Sequence, residues 1–454
     1  MAAGAAEGPL QAGAAAVDIT PPLGEEIVGG FRPFPATAVH DPLFARALVL
    51  DNGHRRLAIV IVDNLGMPRE VCDAARHAVV ESVAIDPWNV LIAATHTHSG
   101  TRASSPRYRP KLVAGIAAAV RRAVEQLEPA EIGWGAVDEP TEVFNRRWFV
   151  TDPELLKNPF GGVDKVRMNP PRGSPALIRP AGPTDPQISF VAVRAIRDGR
   201  PLALLAKYSL HYVGGVRRGD ISADYFGVFA RRVGALIGVR PRPGRPPFVG
   251  ILSNGTSGDV NNIDFRNRSG KRYRPYEKMA EVAEKVARKV AAAYRKTTFR
   301  RSVVLDVVHR ELPLRVRKPD EALRQYVEKV LSKPEDAPTY HRYERIYAQR
   351  VRRLDQEPDV WNVPLQALRI GDLAIVAIPF EVFAEIGLEI KRQTPFAHTF
   401  VIELANGSYG YLPTPRQHEL GGYETWMGTN RVEKEASVKI VAAVRELLDA
   451  LHSR

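Results

Sequence analysis

Apolar residues along the chain fall into short continuous runs that alternate with runs spaced at three and four positions. Residues 46–50 and 57–62 read as two strands joined by the turn Asp51-Asn52-Gly53. Helical spacing follows over 68–83, and 90–94 is a continuous apolar run that predicts a buried strand. A helix is predicted over 112–127, apolar at Val113, Ile116, Val120 and Val124. Residues 150–187 are rich in Pro, Gly, Arg and Asp and read as a long irregular loop, a form often used for lids.

The second half repeats the alternation. Strands are predicted over 188–195 and 202–208, around the turn Asp198-Gly199, then a helix over 225–236 and a strand over 248–252. A long helix over 276–294 precedes a strand over 303–313. Two charged helical stretches, 320–331 and 341–354, suggest a helical insertion spanning 315–360. Strands over 365–370 and 373–378 flank Gly371-Asp372, followed by a helix over 382–392, a strand over 399–404 and a helix over 434–451. Strand–helix alternation of this kind predicts an α/β fold, a layered domain of mixed sheets with helices packed on them. The Ala- and Gly-rich residues 1–16 read as a flexible N-terminal segment, leaving 17–454 as one folded domain.

Composition narrows this little. The chain has 454 residues with 44% hydrophobic and 25% charged content, ordinary globular values. No run of about 18 apolar residues is present, so a spanning helix is not expected. Without a basic segment and apolar stretch at the N-terminus, a cytoplasmic location is expected, or a secreted one for a chain trimmed of its signal. The single cysteine, Cys72, excludes an intramolecular disulfide and a cysteine-rich metal site, and is expected to be a buried small hydrophobe. The formal net charge of +13 makes an anionic membrane surface a possible partner. The densest basic run is Arg266, Arg268, Lys271, Arg272 and Arg274, with Tyr273 and Tyr276 interleaved, and reads first as a solvated loop. No nucleic-acid motif accompanies it, so nucleic acid is ranked last among partners.

The strongest chemical signal is Thr95-His96-Thr97-His98-Ser99-Gly100, directly after the strand at 90–94. Extended residues two apart face the same side, so two imidazoles meet at a strand's C-terminal end, where open α/β sheets bind ligands. Paired imidazoles suit zinc, although a lone HxH has two loop histidines as its bland alternative. Three more predicted strands end in polar, ligand-capable residues: His211, the segment Ser253 to Asp259, and Glu381. Together they read as the mouth of one active site.

Several segments in order carry a resemblance. They are Ala16-Val17-Asp18-Ile19-Thr20-Pro21-Pro22, Gly29-Gly30, Asp41-Pro42-Leu43, the THTHSG run, Phe144-Asn145-Arg146, the strand leading to His211, residues 254–261, Pro379-Phe380-Glu381, and Leu404-Ala405-Asn406-Gly407 running on to Gly422-Tyr423-Glu424. Over nearly the whole chain this resembles the N-terminal catalytic domain of the neutral/alkaline ceramidases. The resemblance implies one zinc held by His96, His211, Glu381 and a tyrosine. Tyr423 matches that tyrosine best, with Tyr409 and Tyr411 as rivals. It implies proton transfer by His98 and a carbonyl- or anion-binding role for Arg146. The implied activity is zinc-dependent hydrolysis of an amide, an N-acyl bond, by metal-activated water, on a small-molecule or lipid-like substrate of sphingolipid type.

Three departures mark a divergent member. Gly258-Asp259-Val260-Asn261-Asn262 carries Asn261 where the family has a serine; asparagine cannot accept an acyl group, but its amide can hydrogen-bond substrate. Asp259 and Asn261 therefore stand as candidate catalytic residues of altered role. Thr101 replaces a proline, and no C-terminal β-sandwich domain is expected. Two alternatives follow: a zinc esterase or lactonase using the same site, or an inactive binding protein of the same fold.

Overall fold

The computed structural model describes residues 6–454. Its centre is a pair of sheets packed face to face. The larger has eight strands in the order Val249–Asn254, Pro201–Tyr208, Gln187–Ala195, Glu128–Asp138, Gln11–Asp18, Phe44–Asp51, Arg56–Val62, Val90–Ala94. The smaller has five: Glu7–Pro9, Ser302–Arg315, Val360–Ile370, Leu373–Ile378, His398–Glu403. Side chains from both inner faces, among them Leu48, Ile61, Ile132, Leu368, Ile375 and Phe400, form one dry core between them.

Helices cover the outer faces. Arg69–Ser82 and Arg109–Glu125 pack on one half of the large sheet, and Asp224–Leu236 and Glu277–Tyr294 on the other. Ala384–Gln393 and Ala436–His452 cover the small sheet. The result is the expected mixed-sheet α/β architecture, in four layers. Among the described residues no helix is long and apolar enough to cross a membrane.

Most predicted elements appear within a few residues of their expected ends. The N-terminal expectation differs. Glu7–Pro9 pairs with Ser302–Arg315, and Gln11–Asp18 pairs with Phe44–Asp51, so residues 7–16 are strand rather than a flexible segment. Their small side chains have a packing reason: a Cβ on Gly13 would stand 2.0 Å from the Ala123 carbonyl oxygen of the overlying helix. Residues 1–5 of the expected segment lie outside the described residues.

The strand Glu128–Asp138 was not among the predicted elements, although Ala130, Ile132 and Trp134 alternate inward at period two. The 150–187 region is less irregular than expected: Val166–Met168 and Leu177–Pro180 flank Arg147–Val150 in a small sheet. Helices Glu321–Leu331 and Glu344–Asp355 form an excursion between the paired strands Ser302–Arg315 and Val360–Ile370. Cys72 is fully buried, and burial pushes its thiol up to about 12, as expected of a structural residue.

Candidate metal centre

Within the two central sheets three strand pairs are parallel: Arg56–Val62 with Val90–Ala94, Pro201–Tyr208 with Val249–Asn254, and Leu373–Ile378 with His398–Glu403. Parallel strands share a C-terminal edge. The loops after all three pairs converge, bringing together His96, His211, Ser257, Glu381 and Glu403.

His96 occupies the middle of the group. Its Nε2 lies 3.0 Å from His211 Nε2, 3.2 Å from His98 Nε2 and 3.4 Å from Glu381 Oε2. His211 Nε2 is 3.9 Å from the same carboxylate oxygen. The three histidines each present a ring nitrogen within 4.8 Å of the others. His96 adopts a left-handed backbone, φ 72°, a strained state for a non-glycine residue that recurs at functional sites. Its backbone N–H donates to the Asn64 carbonyl, which holds the bend.

Two features fit a bound cation. His96 Nδ1 sits 2.6 Å from the Leu65 carbonyl oxygen and His211 Nδ1 3.3 Å from that of Ser257. Each Nδ1 therefore carries the proton toward the backbone and leaves Nε2 bare toward the cluster, the usual arrangement of zinc-ligating histidine. Glu381 Oε2 is buried with no hydrogen-bond donor. A tetrahedral ion with ligands at about 2.0–2.1 Å keeps its donors roughly 3.3 Å apart; His96 lies 3.0 and 3.4 Å from its two partners, and the His211–Glu381 side of the triangle is wider at 3.9 Å. The residues present thus fit zinc.

The electrostatics agree. Burial, then the charges of His96 and Arg146, push His98 and His211 well below the ordinary imidazole value, so both are neutral. Burial would raise the Glu381 carboxyl, but His96, Tyr411 and Arg146 together hold it below its ordinary value.

His98 is half-buried and more open than its partners. Its ring stacks on Tyr212, with centroids 3.7 Å apart. On the other side it packs on Gly29, where a Cβ would come within 2.7 Å of the imidazole. Arg146 is buried: Nε donates to Glu424 Oε1, and Nη2 donates to the Gly258 carbonyl and to the Tyr411 hydroxyl.

Among the tyrosines, Tyr411 pairs in a short parallel ladder with Glu381 and abuts Tyr423, their centroids 5.7 Å apart. Burial, then the Glu381 charge, push Tyr423 up to about 12. Tyr409 turns away to pack near Phe380 and Trp361.

Asp259 and Asn261 are placed differently from the cluster. Asp259 accepts from the Ala384 N–H and from Asn145 Nδ2, tying its loop to a helix start. Asn261 Nδ2 donates to Asn169 and its Oδ1 accepts from the Ile263 N–H, so both ends of the amide are engaged in loop structure. The serine that does approach the histidines is Ser257: its Oγ is 3.4 Å from His211 Nδ1 and donates to Glu403 Oε1 at 2.7 Å. Glu403 Oε2 accepts from the Val382 N–H, the residue after Glu381. Ser257 lies in the segment Ser253 to Asp259 that was expected at the site's mouth, though not with this role, and Glu403 was not expected there. A glutamate directly after the apolar run Phe400-Val401-Ile402 was the available signal for Glu403.

The basic run lies apart from the cluster. Arg266 stacks over Trp148, Arg268 donates to the Gly173 carbonyl, and Lys271 and Arg274 face Glu277.

No family model matches the sequence, and no curated protein matches it. The fold does have similar solved structures. A neutral ceramidase from Pseudomonas aeruginosa superposes with a TM-score of 0.69 at 19% identity, covering 98% of this chain and 75% of that one. A structure described as a ceramidase complexed with C2 gives 0.72 at 18% identity, covering 98% and 76%. The four-layer fold of this chain is therefore similar to the ceramidase fold across almost its whole length.

Proposed function

We propose that the chain is a zinc-dependent hydrolase that cleaves an amide, N-acyl, bond. The observation that carries this is the triangle of His96, His211 and Glu381, with both Nδ1 atoms turned to backbone carbonyls and a buried carboxylate oxygen left without a donor. Zinc bound there would polarise an acyl oxygen and make water nucleophilic near neutral pH. Tyr423 is assigned as the fourth ligand on the resemblance, and Tyr411 is its neighbour on the Arg146 side.

The chain's own groups supply the remaining chemistry. His98 is neutral, half-buried and adjacent to the cluster, so it can take a proton from attacking water and return it to the departing amine. Arg146 holds Tyr411 with one guanidinium nitrogen and favours negative charge developing on the acyl oxygen. Gly29 leaves room for the His98 ring and Tyr212 fixes its plane. Asn261, with its amide engaged, serves loop geometry and does not attack.

The similar structures are described as ceramidases, which supports a lipid-like acyl substrate. Ester or lactone cleavage is the second reading, since the same groups act on either acyl bond. The test is metal content measured together with hydrolysis of N-acyl amides, ceramide included, and matched esters, with and without chelator. Chelator-sensitive amide cleavage is expected. Metal binding without turnover of any acyl compound would favour a binding protein, and no metal binding would overturn the ligand assignment.

A further inference from the structure

Beside Tyr423 a cleft opens between the excursion at 315–360 and the loop region 150–187. Phe31 stacks on Tyr343 of the excursion at 3.8 Å and meets Tyr423 edge-on at 6.0 Å. Phe31 belongs to the same loop as Gly29, against which His98 packs, so the cleft adjoins the metal centre through both Tyr423 and this loop. It holds about 40 Å³, where about 10–15 Å³ suffices for one water.

Its walls are aromatic and aliphatic, yet Arg167 and Arg342 both line it. Neither forms an ion pair with a carboxylate among the described residues. Arg167 Nη1 donates only to the Leu155 carbonyl, and its Nε is buried with no partner. The one carboxylate lining the cleft, Asp164, is committed elsewhere: Oδ2 accepts from the Gly422 N–H and Trp426 Nε1, and Oδ1 from Asn158. Nearby Glu424 is held by Arg146 and Arg147. Lys157, also in the lining, pairs with Glu154. Burial, then the charge of Arg342, push the Arg167 guanidinium below its ordinary value, against smaller opposing pulls from Tyr343, Asp164 and Glu424.

Arg342 is exposed and lies over the Tyr343 ring, so the cost falls on Arg167: an unpaired, half-buried guanidinium beside a second cation is costly unless an anion completes it. We infer that the substrate carries an anionic oxygen group, such as a carboxylate, which Arg167 and Arg342 bind in this cleft while the acyl bond lies at the metal centre. This rests on the acyl-hydrolase function proposed for that centre. Guanidinium forks suit planar carboxylates. The substrate class is then an N-acyl amino acid or a similar acidic amide rather than a neutral one.

The zinc-loaded protein would be given N-dodecanoylglycine and N-dodecanoylethanolamine, which share an acyl chain and differ in the charged group. Binding would be measured by calorimetry alongside kcat/KM. The glycine conjugate should be favoured about tenfold or more, the size of one charge-assisted hydrogen bond. That ratio should collapse in Arg167→Gln and in Arg342→Gln, and recover in part in Arg167→Lys. Equal binding of the two amides, or an unchanged ratio in both glutamine variants, would overturn the inference. Hydrolysis of neither amide would count against the proposed hydrolase. In that case the binding ratio and its loss in the variants still decide the anion site.

Discussion

His96 Nε2 and His211 Nε2 face each other at 3.0 Å, each with its other ring nitrogen at a backbone carbonyl. Two bare acceptor nitrogens at that distance repel unless a cation lies between them. His96→Ala should therefore remove both metal and activity, with zinc content falling from about one per chain to near zero. His98→Ala should retain most of the zinc and lose turnover by about 10²–10⁴-fold, the usual contribution of a general acid–base. Metal analysis beside steady-state kinetics separates the two, and full activity in the His98 variant would remove it from the mechanism.

Glu403 reaches the centre only through others: it accepts from the Ser257 hydroxyl below His211 and from the Val382 N–H beside Glu381. Burial raises its carboxyl well above the ordinary value. Glu403→Ala and Ser257→Ala should each weaken zinc affinity by about 10–100-fold, as loss of outer-shell support does. A competition titration with a chromogenic chelator reads this without any substrate. Unchanged affinity in both variants would confine these residues to a purely structural role.

Asp185 bridges two lysines, accepting from Lys207 Nζ at 3.0 Å and Lys391 Nζ at 2.9 Å. Burial would raise its carboxyl, but Lys207 and Lys391 prevail and hold it well below the ordinary value. Because the unfolded carboxylate titrates near about 3.9, the unfolded chain binds the proton first. The stabilisation is thus full above that pH and is lost as pH falls below it toward the depressed folded value. Denaturant titrations from about pH 5 down to about pH 2 should show this slope below the unfolded carboxylate value, reduced in Asp185→Asn. Lys207→Met, which leaves the buried carboxylate to Lys391 alone, should destabilise the fold, by less than the ~3–5 kcal/mol that a fully unpaired buried charge costs.

Asn406 fastens the two sheets. Its Oδ1 accepts from Arg76 and the Ile92 N–H, its Nδ2 donates to Gln366, and its backbone is left-handed at φ 64°. Asn406→Ala should cost about 2–4 kcal/mol from the lost hydrogen bonds and the less tolerated backbone. A melting-temperature change too small to resolve would show that the sheets hold without it.

Much of this was legible along the chain. Apolar periodicity depends on neighbouring residues, so the strand at 90–94 and the helices at 112–127 and 434–451 could be read locally. The His96–His98 spacing is likewise a local property, and the strand-end positions of His211 and Glu381 followed from the runs before them. The strand Gln11–Asp18 could not be read this way. Its Ala and Gly content looks unstructured until the helix Arg109–Glu125 lies across it and makes small side chains a requirement.

By itself, then, the sequence determined the element types and the residue kinds capable of holding a metal, because both are set by side chains close together in the chain. Only the tertiary structure decided which of those residues meet. Three parallel strand pairs deliver Leu65, His96, His211, Ser257, Glu381 and Glu403 to one edge. The same folding turned Asn261 to loop support, and brought Arg167 and Arg342 into one cleft without a carboxylate partner. Hydrogen bonding, burial and counter-charge are properties of positions in space, and residues far apart in sequence acquire them only when the sheets pack.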